Sequence, residues 1–129
     1  MKAKIELNHT IVNVRDKQES ATFLSDIFGL PAPEPFSHFL VVQTTNGVSL
    51  DFTETDENIE RQHYAFLVGD DEFDHAFEKI KKRRIPYWAD PAKTLPNRIN
   101  THFGGRGCYF EEPSGHLLEM ITRPYGREN

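Results

Sequence analysis

One carboxylate and two imidazoles stand in settings where they could do chemistry. Glu119 lies in the stretch GlyHisLeuLeuGluMetIleThr, Gly115 to Thr122. A two-residue period puts Leu117, Glu119 and Ile121 on one face of a strand and Leu118 and Met120 on the other. Both faces are otherwise apolar, so the strand should be covered on both sides. A carboxylate in such a strand is costly unless it is paired, hydrogen-bonded or bound to a metal. Elsewhere in the chain, His9 and His63 each stand in or near the start of a strand-like stretch. Two imidazoles and one carboxylate on adjoining strands form a ligand set with open positions, which suits Fe(II), Mn(II), Ni(II) or Zn(II). Isolated strand histidines also serve as satisfied core or surface residues, and spacing alone leaves both readings open.

The elements that must position these groups read as follows. Residues 5–14 alternate as a strand, with His9 on the face of Leu7 and Ile11. Asp16 opens a helix, with Glu19 three residues on as a capping-box partner. Leu24, Ile27 and Phe28 form its apolar stripe, Gly29 closes it and Pro31 prevents continuation. A proline-rich connection leads to a strand over 36–44. Asn46-Gly47 signals a hairpin, and the return strand over 48–53 carries Asp51. The polar, acidic segment 55–62 reads as a linker. A strand over 61–68 begins near His63. Asp70, Asp71 and Glu72 open a second helix at its positive end, and Phe73, Ala76, Phe77 and Ile80 keep the helical spacing. Pro86 stops it. A short strand over 87–89, a long polar loop over 91–106, a strand over 107–112, a turn and the Glu119 strand complete the chain. The tail from Arg123 is expected to be only partly ordered.

The order strand, helix, strand, hairpin thus occurs twice, with His63 following His9 by 54 positions. The stretch 46–52 lines up with 114–120, so Asp51 corresponds to Glu119. A repeat of this length indicates a fold of two similar modules, about 1–54 and about 61–125, neither large enough to bury a core alone. Here the chain resembles the vicinal oxygen chelate superfamily. The resemblance rests on the two βαβββ modules, the AsnHis at 8–9, the second-module His63, and the motif Pro113, Gly115, His116, Glu119. That group includes glyoxalases, extradiol dioxygenases, fosfomycin-resistance thiol transferases, methylmalonyl-CoA epimerases and bleomycin-resistance proteins. The resemblance implies an α+β fold: paired modules forming a curved, mostly antiparallel eight-stranded cup around a metal, with helices outside. It implies metal ligation by His9, His63 and Glu119, with Asp51 as a possible fourth ligand. Asp51 is one methylene shorter than the usual Glu or Gln, which argues against glyoxalase activity itself.

Further residues border the expected site. In the loop 97–107, Gly104, Gly105 and Gly107 permit unusual backbone angles, and Arg98, His102 and Arg106 could meet an anionic oxygen. His102 could act as acid or base. The same loop also reads as an ordinary solvated segment. Arg123 and Tyr125 follow the Glu119 strand closely, and His38 alternates with apolar neighbours, so all three are pocket candidates. Trp88 and Tyr109 read as pocket wall or core, His116 as a supporting or turn residue, and Cys108 as a buried, inert thiol.

A chain of 129 residues with net charge −5 and no long basic run makes nucleic acid an unfavourable partner. Its one cysteine cannot form an internal disulfide, and no stretch has the length of a membrane span. The expected location is the cytoplasm. The expected activity is that of a metal-dependent dioxygenase, lyase or isomerase acting on a small molecule with adjacent oxygens. Fe(II) is the favoured cofactor and a homodimer the expected assembly. The alternative is a metal-free binding or sequestration protein of the bleomycin-resistance type.

Overall fold

The computed structural model describes residues 3–126. Its contacts divide the chain into two units. One comprises the residues up to Asp26 together with Leu30–Ile59, and the other comprises Ile27–Gly29 together with the residues from Glu60 onward. Among the described residues no helix is long and apolar enough to cross a membrane.

The first unit contains β1 (His9–Val14), α1 (Lys17–Phe28) except its last two residues, β2 (Glu34–Phe36), β3 (Phe39–Gln43) and β4 (Ser49–Glu54). Its sheet has the order β1-β4-β3-β2, with β1 parallel to β4 and the other pairs antiparallel. Alternation on β1 sends Val12 and Val14 inward, against a core that includes Leu24, Leu40, Val42, Leu50 and Phe52. His9, Ile11 and Asn13 take the opposite, exposed face. The carboxylate of Asp16 accepts the Glu19 amide at 3.1 Å, the cap expected of that residue. Gly29, at φ +64°, closes α1, and the Leu30 amide returns to the Ser25 carbonyl at 2.8 Å.

Two expectations for this unit need correction. The first strand starts at His9, not at residue 5. The register explains this, because His9 already faces Ser49, the first residue of β4, so earlier residues lie beyond any partner strand. The expected strand over 36–44 is broken at Ser37-His38 into the β2–β3 hairpin, with Ser37 at φ +54°. No glycine, proline or asparagine marks that turn, so residue type alone did not betray it.

The second unit repeats the plan with β5 (His63–Leu67), α2 (Asp70–Lys82), β6 (Tyr87–Trp88), β7 (Gly107–Glu111) and β8 (Leu117–Ile121). Its sheet has the order β5-β8-β7-β6, again with one parallel pair, β5 and β8. Phe73, Ala76 and Ile80 of α2 are fully buried, as are Cys108, Phe110 and Met120. The Phe28 ring meets Phe66 and Phe110 at centroid distances of 4.8 and 6.1 Å. The eight strands therefore form two four-stranded mixed sheets in an α+β fold, built from two βαβββ modules.

The loop from Ala89 to Arg106 is fastened by side chains. Asp90 accepts the Thr94 hydroxyl and the amides of Leu95 and Thr94, and the hydroxyl first of all holds its carboxyl below the ordinary carboxylate range. Asn100 and Gly107 exchange two backbone hydrogen bonds of 2.9 Å. A short 3-10 turn, His102–Gly104, follows Asn100.

Candidate metal centre

The second unit gathers a polar cluster around Glu119. Parallel pairing of β5 with β8 sets His63 opposite Leu117 and Ala65 opposite Glu119. In that register His63 Nε2 lies 2.9 Å from Glu119 Oε1. The Glu119 side chain is 1% exposed and that of His63 44%, so the pair joins a buried charge to an accessible imidazole. The other carboxylate oxygen, Oε2, accepts a hydrogen bond from the Tyr125 hydroxyl. The Tyr125 hydroxyl also meets that of Tyr109 at 2.7 Å. Tyr109 stands directly opposite Glu119 in the β7–β8 register, with its ring 5.9 Å from that of His63. Burial, followed by the hydrogen bonds to Tyr125 and Glu119, raises the Tyr109 hydroxyl far above its ordinary value. Tyr125 is raised as well, first by burial and then by Glu119. Both phenols therefore stay protonated at neutral pH.

The turn before β8 holds this arrangement in register. Gly115 sits at φ +97°, a conformation that side-chain-bearing residues rarely adopt, and its amide reaches the Glu112 carbonyl at 2.8 Å. His116 is 1% exposed, and its Nδ1 accepts the Gln62 amide at 3.0 Å. That bond ties the residue before His63 to β8. The supporting role expected of His116 thus takes the form of a link between the two strands that carry His63 and Glu119.

The first unit places His9 and Asp51 in the matching register, His9 opposite Ser49 and Ile11 opposite Asp51. Their surroundings differ from those in the second unit. Asp51 is buried and accepts the Ser49 hydroxyl at 2.8 Å, so its charge is met by its own strand. His9 is exposed, and its Nδ1 lies 2.7 Å from Asn8 Oδ1. An amide oxygen only accepts, so Nδ1 is the donor in this contact and Nε2 is the ring nitrogen left without it. Asn8 therefore orients His9 in the form a metal ligand requires.

The remaining candidates lie outside the Glu119 cluster. His38 is in the β2–β3 turn and stacks on Phe39 at 4.0 Å, while its carbonyl accepts Lys17 Nζ. Arg106 is turned onto α2, 2.6 Å from Asp74 and 3.4 Å from Asp70, with its guanidinium over the Phe73 ring. These carboxylates raise its proton affinity further. Arg98 and His102 are exposed in the loop. Arg123 donates to the Thr122 carbonyl at 3.1 Å. Of the residues singled out in the sequence, His63, Glu119 and Tyr125 are brought together. Tyr109 completes the cluster. Counting back from the 113–115 turn would have placed it opposite Glu119.

Among the described residues no three His, Cys, Asp or Glu side chains converge as a metal site. The pair His63–Glu119 nonetheless fits a divalent cation, because it offers one nitrogen and one anionic oxygen at ligand spacing. The carboxylate is buried beside an imidazole and a phenol.

Comparison with known proteins places this cluster in context. The family model described as Glyoxalase/Bleomycin resistance protein/Dioxygenase superfamily matches residues 6–120. The solved structure of "Oxidase ChaP-H1" is similar at 55% identity and a TM-score of 0.94, over 96% of this chain and 100% of that one. "Oxidase ChaP-H2" is 49% identical with a TM-score of 0.95, over 98% and 100% of the two chains. Among curated proteins, "Metallothiol transferase FosB" of Lysinibacillus sphaericus (strain C3-41) is 26% identical over 121 residues, 90% of this chain and 81% of that protein.

Proposed function

Since the chain belongs to the Glyoxalase/Bleomycin resistance protein/Dioxygenase superfamily, we propose that it is a metal-dependent enzyme that oxidises a small molecule bound through adjacent oxygens. The observation that carries this reading is the buried Glu119 carboxylate with His63 Nε2 at 2.9 Å. The two oxidases similar over nearly the whole chain favour oxidation over the lyase, isomerase and transferase chemistries of other relatives. His63, Glu119 and His9 are the ligands, and Fe(II) is the favoured metal ahead of Mn(II), Ni(II) and Zn(II). When bound, the ion supplies Lewis acidity and a template for two neighbouring substrate oxygens.

The chain's own residues prepare that site. Burial keeps the Glu119 charge from water, where it would be screened and less selective. Asn8 Oδ1 meets His9 Nδ1 and orients the ring with Nε2 turned away from that contact. His116 fixes the strand that carries His63. The protein acts as a homodimer, and His9 of the second copy completes the ligand set.

The test is a metal titration followed by a ligand screen. Protein freed of metal by chelator should bind one divalent ion per chain. The Fe(II) form should consume O₂ with catechol-like or hydroxy-carbonyl compounds. A mixture of His9→Ala and Glu119→Ala proteins should recover part of the binding, because one site of each mixed dimer is intact. Ligands that bind the loaded and stripped protein equally well, with no turnover in either, would establish a sequestration protein instead. A monomer in light scattering would remove the shared site.

A further inference from the structure

The two oxygens of Glu119 are engaged differently. Oε1 faces His63 Nε2 at 2.9 Å, whereas Oε2 is taken by the Tyr125 hydroxyl. A carboxylate only accepts, so the single Tyr125 hydrogen must point to Oε2. The 2.7 Å contact between the phenols is then donated by Tyr109. The hydrogens of both phenols are directed toward Glu119, that of Tyr125 to Oε2 and that of Tyr109 to the Tyr125 oxygen beside the carboxylate.

Both phenols are held in place. Tyr109 is 5% exposed and fixed by its strand opposite Glu119. Tyr125 is 47% exposed, and the ring of Phe103 packs against it at a centroid distance of 5.7 Å. Phe103 has φ +57°, the left-handed region that a bulky side chain avoids without compensation. The turn that carries it is pinned on both sides. The His102 amide donates to Asn100 Oδ1, and the Arg106 amide donates to Thr122 Oγ1 at 2.8 Å. The Arg106 guanidinium is bound in turn to Asp74.

We propose that Tyr125, aligned by Tyr109 and buttressed by Phe103, is a positioning residue that restricts Glu119 to ligating the metal through Oε1 alone. This rests on the metal-centre reading above. With Oε2 occupied, the carboxylate fills one coordination position. Freed from Tyr125, it can close onto the ion through both oxygens and take a position that a chelating substrate needs. The room left for a chelating substrate would thus be set by a phenol acting through the Glu119 carboxylate.

Co(II) is the probe, because its visible bands weaken as coordination number rises and shift with geometry. The unaltered protein, Tyr125→Phe, Tyr109→Phe and Phe103→Ala are loaded with Co(II) and titrated by absorption. Tyr125→Phe should bind Co(II) about tenfold more weakly, as loss of a partner that orients a ligand does, with weaker bands. Tyr109→Phe and Phe103→Ala, which keep every ligand and the Tyr125 hydroxyl, should change the spectrum in the same direction by less. Identical spectra and affinities in the unaltered protein and all three variants would overturn the inference while leaving the metal centre standing. A phenolate-to-Fe(III) absorption band lost in Tyr125→Phe would also overturn it, by making Tyr125 a ligand. Failure of the unaltered protein to bind Co(II) would overturn both the metal reading and this one.

Discussion

The two modules share a topology and a register but treat the same strand position differently. In the first, the position opposite Ile11 is Asp51, its antiparallel neighbour is Val41, and its charge is met by Ser49 two residues away. In the second, the equivalent position is Glu119, its antiparallel neighbour is Tyr109, and its charge is met by His63 and Tyr125. One carboxylate is satisfied within its own strand. The other reaches across strands to groups that a metal could replace or use. Duplicated architecture therefore supplies two equivalent positions, and the neighbours decide how each carboxylate is satisfied.

The largest expected effect comes from breaking this asymmetry directly. Glu119→Gln keeps the shape and removes the charge, and it should reduce divalent-metal affinity by more than the roughly 10–100-fold typical of losing a supporting partner. Asp51→Asn should leave that affinity unchanged. Calorimetric titration with Mn(II) or Zn(II) measures both. Equal losses in the two variants would show that the modules contribute alike and would abolish the contrast.

Stability sharpens the same comparison from the other side. Ser49→Ala strips the buried Asp51 of its donor and should destabilise the protein by about 1–3 kcal/mol, read as a lower urea midpoint, with metal affinity intact. The helices differ in a parallel way. Asp16 caps α1 with its side chain, whereas α2 starts from Gly69 with no side-chain cap. Asp16→Ala should therefore cost about 1 kcal/mol in the same measurement.

The smallest effect concerns Cys108, which pairs with Met120 as Leu40 pairs with Phe52 in the first module. Both Cys108 and Leu40 are buried core residues. Burial pushes the Cys108 thiol up from its ordinary 9.0 to about 12. Between those values the unfolded chain sheds this proton and the native chain keeps it, so unfolding is favoured increasingly as pH rises through that interval. Below it the thiol contributes no pH dependence. Cys108→Ala should flatten the alkaline limb of stability against pH, and the native thiol should resist alkylation at pH 8. Rapid alkylation of folded protein would contradict the burial.

Much of the fold could be read from the chain. Periodicity located both helices and most strands, Asp16 and Gly29 bounded α1, and Asn46-Gly47 made its turn, with Gly47 at φ +82°. The alignment of 46–52 with 114–120 set Asp51 and Glu119 at equivalent strand positions, and the registers of the two parallel pairs follow the same plan. The β2–β3 hairpin escaped because its turn uses Ser37 and His38, residues without a strong turn signature. The site was less legible at its edges. Arg106 looked available for an anion because its charge lies in a glycine-rich loop, yet it pairs with Asp74 and Asp70. Those carboxylates sit more than thirty positions away in sequence, beyond the reach of any local pattern.

The sequence by itself determined the two-module plan and the carboxylate at 119 in an apolar strand that needs a partner. These follow from short-range periods, which act over a few residues and repeat. Only the tertiary structure decided which oxygen of Glu119 faces His63, which is held by Tyr125, and that Tyr109 stands behind both. Hydrogen bonds depend on distances of tenths of an ångström and on donor direction, and strand pairing sets these between residues that the chain order keeps apart.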